Sequence, residues 1–265
     1  MGPIMRIVSL QSGSNGNCIF AETNGIRLLF DAGLTGAKTE ERLAEVGVDV
    51  RSVHGVLISH DHSDHVKGAG VLQRKFDLPI WITRKTCEAA AANWKHPVHL
   101  ESPQLFKAGQ SIRFDNGVTV ETLPTPHDGV DGVGFVIDDG SLRFGIFTDL
   151  GHVFPKLKQV FPTLDGILIE SNYDPKMLDA SENYPAWLKD RIRGKLGHLS
   201  NQDAASLIKN AGARLRVACL AHLSLENNTP ELALEPYQAK EFKRLFPIHV
   251  VPRDRCVELW NSVDT

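Results

Sequence analysis

"VHGVLISHDHSDH" (residues 53–65) is the stretch on which the reading of the whole chain turns. Its first half is a short apolar run of the kind that forms a buried strand. Its second half, "HDHSDH" (60–65), crowds three histidines and two aspartates into six residues. Side chains alternate along extended backbone, so His60 and His62 can point the same way. Asp64 and His65 then turn into the helical segment "HVKGAGVLQRKF" and face a neighbouring point. Imidazole and carboxylate suit zinc, manganese or iron, and the lack of thiolates disfavours a purely structural zinc site. Two pairs of ligands aimed at adjacent points suggest two divalent ions, about 3.5–4 Å apart as in binuclear hydrolases. The competing reading is a polar surface turn that happens to be rich in histidine.

Two ions need more ligands, and other strand ends must supply them. His127 in "TLPTPHDG" follows the apolar run 118–123, Asp149 in "FGIFTDLGH" follows 142–147, and His222 in "ACLAHLS" follows 216–221. With His60, His62, Asp64 and His65 they complete a set of seven.

Composition bounds the rest. The 265 residues suffice for a sizeable core, and 42% hydrophobic with 23% charged residues is ordinary for a globular protein. No apolar stretch approaches the roughly 20 residues that span a bilayer, so no membrane partner is expected. The segment "MGPIMRIVSLQSG" lacks the features of a secretory signal. Four scattered cysteines form no C-x-x-C pair, which points to a reducing compartment and a cytoplasmic location. A net charge of −3 gives no overall attraction to nucleic acid, although "LKDRIRGKLGH" (188–198) gathers Lys189, Arg191, Arg193 and Lys195 against one acid. Such a run is either a solvated helix face or a path for a phosphate backbone.

Strands are expected at 6–10, 26–30, 53–59, 79–83, 118–123, 134–138, 142–147, 166–170, 216–221 and 248–251. Helices are expected at 38–47, ending on Gly47, and at 200–212, with Ser200 as N-cap and Gly212 as the stop. Trp81, Trp94, Trp187 and Trp260 are expected in the core. No repeat or long linker divides the chain, so residues 1–265 are read as one hydrolase domain of layered α/β or α+β type.

H-x-H-x-D-H followed by single His, Asp and His residues at later strand ends resembles the metallo-β-lactamase fold superfamily. "SLQSGSNGNCIFAETNGIRLLFDAGLT", "TDLGH", "IESNYDPKML", "GHLSNQDAA" and "AHLSLENNTPELA" are similar to motifs of its YycJ/WalJ-like group, regarded as 5′-to-3′ DNA exonucleases related to ribonucleases Z and J. The resemblance covers roughly residues 5–235. It implies a four-layer αβ/βα sandwich, one ion on His60, His62 and His127, a second on Asp64, His65 and His222, and Asp149 as the bridge. Only 72 residues lie between Asp149 and His222, too few for the large inserted β-CASP-type domain of ribonuclease J-like enzymes. Nucleic acid, DNA above all, would then be held by the compact core, a partner, or a second copy of the chain in a homodimer.

Two cations sharing a water acidify it, and Asp64 could orient the resulting hydroxide. His198, in a motif resembling the one that precedes the last ligand of ribonuclease Z, is the candidate aid to the leaving group; the alternative is a cap on the helix beginning near Ser200. Asp31 and Glu170 are candidates to orient imidazoles, Asp31 the better placed. Ser12, Ser14 and Asn15, in the Gly-rich loop "SGSNGN" (12–17), join Lys189, Arg191, Arg193 and Lys195 as candidate substrate contacts, although the loop could equally be a plain turn. The fold alone does not fix the substrate. A nuclease is the leading reading; hydrolysis of small or cyclic phosphodiesters, thioester or lactone chemistry, and metal-bearing regulation are the alternatives.

Overall fold

The computed structural model describes residues 4–238 and 246–263. Strands β1 (Met5–Gln11), β2 (Cys18–Thr23), β3 (Ile26–Phe30), β4 (Gly55–Leu57), β5 (Ile80–Thr83) and β6 (Gln104–Phe106) build one sheet. Strands β7 (Ser111–Arg113), β8 (Thr119–Pro124), β9 (Val133–Asp138), β10 (Arg143–Phe147), β11 (Gly166–Glu170), β12 (Val217–Ala221) and β13 (Ile248–Val250) build the other. β14 (Val257–Asn261) returns to pair with β1, so the orders are β14-β1-β2-β3-β4-β5-β6 and β13-β12-β11-β10-β9-β8-β7.

Both sheets are covered on both faces, which is why their strands read as continuous apolar runs rather than as alternations. Along β12, Val217, Cys219 and Ala221 face the layer between the sheets, while Ala218 and Leu220 face the helices outside. Helices α1 (Gly36–Glu45), α2 (Ser63–Val66), α3 (Ala69–Phe76) and α4 (Arg84–Ala92) cover the first sheet through Leu43, Val66, Leu72 and Ala90. Of α5 (Pro155–Val160), α6 (Pro175–Ala180), α7 (Ala186–Arg193), α8 (Asn201–Lys209) and α9 (Pro230–Leu234), helices α5, α8 and α9 cover the second through Leu157, Ile208 and Ala233. The layers run helix, sheet, sheet, helix. Leu168 lies fully buried in the middle layer, where truncation to alanine should cost about 2–5 kcal/mol of stability. Among the described residues no helix is long and apolar enough to cross a membrane.

All ten expected strands form, and the differences have local causes. The strand of "VHGVLIS" shortens to Gly55–Leu57, because residues 50–52 form a 3₁₀ turn capped by Asp49 and Ser59 is already drawn out to Asp31. The helix expected after His65 splits at Gly68. There the chain crosses the loop after β3 so closely that a Cβ would lie 2.0 Å from the Leu34 carbonyl oxygen, and the Gly68 amide donates to Ala32 O. α1 begins two residues early, capped by Thr35, and α8 keeps its Ser200 cap but closes at Asn210, ahead of Gly212. The tryptophans divide: Trp260 is buried and Trp81 packs on the inter-sheet core, whereas Trp94 and Trp187 are 85% and 67% exposed. Trp94 lies in the loop after α4 with Lys95 Nζ over its ring, and Trp187 lies on α7, which buries none of its residues.

The parallel runs β3-β4-β5-β6 and β10-β11-β12-β13 place strand ends of one polarity along one edge of the sandwich. The chain leaves those ends sharply. Asp31, Asp149 and His222, just past β3, β10 and β12, have φ of 65°, 58° and 56°, a left-handed backbone that costs a non-glycine residue energy.

Candidate metal centre

The sharp exits bring the seven histidines and aspartates together. His60, His62 and His127 each offer one ligand atom, all within 4.8 Å of one another, and so do Asp64, His65 and His222. Asp149 stands between the two groups: Oδ2 is 3.1 Å from His65 Nε2, and Oδ1 is 3.7 Å from His127 Nε2 and 3.5 Å from His222 Nδ1. The His60 and His65 rings lie 4.1 Å apart between centroids, so the two triplets share a wall.

Four of the five imidazoles, all but that of His62, are aimed by a partner behind them. His65 Nδ1 meets Asp31 Oδ2 at 2.7 Å, His222 Nδ1 meets Glu170 Oε1 at 2.9 Å, and His127 Nδ1 donates to the Gly197 carbonyl at 2.9 Å. His60 Nδ1 meets Ser59 Oγ at 2.9 Å, and that hydroxyl also contacts Asp31 at 2.9 Å. This is the arrangement by which proteins fix the orientation of metal-binding histidines, leaving Nε2 to face the ion. His60 Nε2 is buried without a hydrogen bond, and His222 Nε2 faces Asp64 Oδ2 across 3.6 Å. Orphaned buried nitrogens converging on carboxylates fit a divalent cation, and the donor set of imidazole and carboxylate fits zinc, manganese or iron.

Glu170 also lies within ligand distance of Asp149, His198 and His222. Its oxygens are already engaged: Oε1 by the Nδ1 atoms of His222 and His198, Oε2 by the amides of Leu150 and Leu199 at 2.7 and 3.0 Å. It is a brace beneath the centre rather than a free ligand.

The electrostatics follow from crowding. Burial, then the charge of His65, pushes His60 well below the ordinary imidazole range. Burial likewise opposes charge on His65, but Asp149, Asp31 and Asp64 together raise it well above that range. His222 is raised to about 10, where Asp149, Asp64 and Glu170 outweigh burial. Against the same burial, His222 and His65 hold the Asp149 carboxyl well below its usual value. Protons thus sit between imidazole and carboxylate where a cation would compete for the same atoms.

A cleft of about 240 Å³ opens onto this centre, bounded by Asp64, Asp149, His198, His222, Arg191 and Tyr184. His198 comes off the loop between α7 and α8, its Nδ1 held 2.7 Å from Glu170 Oε1 and its ring 5.1 Å from that of His127. Burial opposes its charge, yet Glu170 raises its pKa above the ordinary value.

The expected substrate contacts separate. Ser14 lines the cleft. Ser12 does not: it is buried, with Oγ accepting the His222 amide at 3.1 Å, because the glycine loop folds back onto the strand end. Asn15 turns outward, its carbonyl taking Lys67 Nζ. Arg191 reaches the rim and pairs with Asp128, whereas Lys189 and Arg193 both bind Asp179, away from the centre. The Lys195 side chain is exposed, and its carbonyl accepts from His152.

Four contributors have no signature in the sequence. They are Ser59, Asn17 (Nδ2 3.0 Å from His65 Nε2 and 3.4 Å from Asp64 Oδ2), Asp128 (3.5 Å from His62 Nε2) and the Gly197 carbonyl.

The profile of the beta-lactamase superfamily domain matches residues 26–223, which contain all seven positions. Exodeoxyribonuclease WalJ of Streptococcus pneumoniae serotype 2 is 39% identical over 229 residues, 84% of this chain and 83% of that protein. Exodeoxyribonuclease YycJ of Bacillus anthracis is 35% identical over 231 residues, 84% of each chain. Among solved structures, the metallo-beta-lactamase fold protein YhfI of Bacillus subtilis superposes with a TM-score of 0.71 over 97% of this chain and 99% of its own, at 18% identity, a likeness of fold alone. The chain belongs to the beta-lactamase superfamily, in the group of the WalJ and YycJ proteins.

Proposed function

We propose that the chain is a metal-dependent phosphodiesterase that digests DNA from an end. The observation that carries this reading is the pair of ligand triplets flanking Asp149, in a chain whose relatives over most of its length are named exodeoxyribonucleases. On this reading each chain holds two divalent ions, which when bound acidify a water and neutralise charge on the phosphodiester.

The chain's own groups supply the remainder. Asp64, at the cleft wall and 3.4 Å from Asn17 Nδ2, accepts a hydrogen bond from the attacking water and orients it. His198, whose charged form Glu170 favours, donates a proton to the departing oxygen. Asn17, Ser59, Asp31 and Glu170 hold these groups in place so that little reorganisation accompanies attack. Arg191 at the rim, with Nε and Nη2 turned to Asp128, offers its other guanidinium N–H groups to a non-bridging phosphate oxygen. A reducing, cytoplasmic setting and a single hydrolase domain belong to the same reading; all four cysteines are free, which supports the first.

The test is incubation of purified protein with end-labelled single- and double-stranded DNA and RNA, with zinc, manganese or iron in turn. Stepwise release of nucleotides from one DNA terminus, suppressed steeply by salt, is the expected result. Cleavage confined to small or cyclic phosphodiesters, indifferent to salt, would overturn it.

A further inference from the structure

Beside the metal cleft lies a second, larger groove of about 670 Å³. The two share a wall: Ser224 lines both, and adjacent residues of the glycine loop divide between them, Ser14 toward the cleft and Asn15 toward the groove. Much of the groove is apolar, with Leu225, Pro230, Val250 and Val257 on its surface, and it holds two arginines, Arg253 and Arg255, against one acid, Asp254.

Arg253 is the unusual member. It is half-buried, Nε is shielded from solvent without a hydrogen-bond partner, and no ion pair engages its guanidinium among the described residues. Burial lowers its pKa, opposed only by Asp254 and Tyr184, and Tyr184 itself lines the metal cleft. The side chain lies over Gly13, where a Cβ would stand 3.1 Å from Nε. Gly13 in turn donates its amide to Asn17 Oδ1 at 2.8 Å, and Asn17 Nδ2 is 3.0 Å from His65 Nε2. Arg42 grips the Asp254 carbonyl, so Arg253 is presented from an anchored loop. A guanidinium cannot shed its charge, and a cation partly withdrawn from water without a carboxylate in direct contact is costly to keep. An anionic ligand would relieve that cost.

We propose that this groove is the subsite for the DNA strand flanking the scissile phosphate, with Arg253 gripping a backbone phosphate and the apolar walls receiving sugar and base. The proposal rests on the nuclease reading and adds to it where the strand lies. Apolar faces next to an arginine without an ion-pair partner match a nucleotide unit, which alternates an anionic phosphate with a flat hydrophobic base. Continuity across Ser224 and the glycine loop lets one strand occupy cleft and groove together.

The experiment compares wild type, Arg253→Gln and Arg253→Lys on bis(p-nitrophenyl) phosphate and on oligothymidylates of increasing length. KM of the wild type should fall in a step once the oligomer reaches the groove. Arg253→Gln should remove most of that step, raising KM for the long strand about ten-fold more than for the small diester. Arg253→Lys should restore part of it. The slope of log KM against log salt on long single strands should shrink by about 0.7, one phosphate contact. Leu225→Asp, at a side chain 68% exposed, should raise long-strand KM without touching the core, and serves if Arg253→Gln melts early. A length step that survives Arg253→Gln and Leu225→Asp, or a loss equal on the small diester, overturns the subsite alone. A wild type that cleaves no oligothymidylate overturns the nuclease reading and the subsite with it.

Discussion

Two charged clusters look alike in the sequence and behave differently in the structure. "HDHSDH" (60–65) and "KDRIRGK" (189–195) each crowd titratable groups into six or seven residues. In the first, His60 and His65 are buried; His65 is aimed by Asp31 from another strand end, and His60 by its neighbour Ser59, which Asp31 holds in turn. In the second, Arg193 pairs with the Asp179 carboxylate, Lys189 donates to the Asp179 main-chain carbonyl, and only Arg191 reaches the cleft. Density of charge says little about what a segment does. What stands opposite it decides, because a charge in water beside its own counter-ion contributes little.

The sharpest way to break this contrast is to substitute across it. Asp149→Ala should lower turnover by about 1,000-fold or more, and reduce bound metal as read by elemental analysis. Near-normal activity with full metal content would remove Asp149 from its place between the triplets.

His198→Gln should cost about 100-fold or more in kcat with metal content retained, the usual range for a proton donor. Because Glu170 raises the His198 pKa, the charged form survives to higher pH than in an ordinary histidine. Glu170→Gln should therefore move the alkaline limb of the kcat profile to lower pH. If that limb stays where it is, Glu170 only holds the loop.

Stability without metal gives a third measure, of moderate size. His222, raised to about 10, binds a proton in the folded state that an unfolded chain releases above about 6.5. Its contribution is complete below that lower value and is lost as pH climbs towards 10. The urea midpoint of chelated protein should fall between pH 7 and 10, and a flat midpoint would deny the carboxylates their hold on His222. The smallest effect belongs to the basic helix. Lys189→Gln with Arg193→Gln should change DNA affinity within about two-fold, whereas Arg191→Gln should weaken it more. Equal losses would mean that α7 acts as one positive surface.

The seven residues of the centre were legible because their types are chemically dear and each follows an apolar run. The expected strands were legible for a related reason: sheets covered on both faces require uninterrupted apolar sequence. Other features depend on contacts that span the chain. β14 pairs with β1 from the far end of the sequence, and β6 and β7 have three residues apiece, too short to carry a pattern. Ser59, Asn17 and the Gly197 carbonyl contribute through position alone, and a serine hydroxyl or a peptide oxygen looks the same in any sequence. Ser12 shows the converse. It belongs to the right loop, yet its hydroxyl turns inward to the His222 amide.

The backbone at Asp31, Asp149 and His222 has a consequence for anyone wishing to move this centre elsewhere. Grafting the imidazoles and carboxylates onto ordinary strand ends would fan them apart, since relaxed chain leaves a sheet in the wrong direction. A working transplant has to carry the three bends along with the side chains, and a host must be sturdy enough to hold them bent.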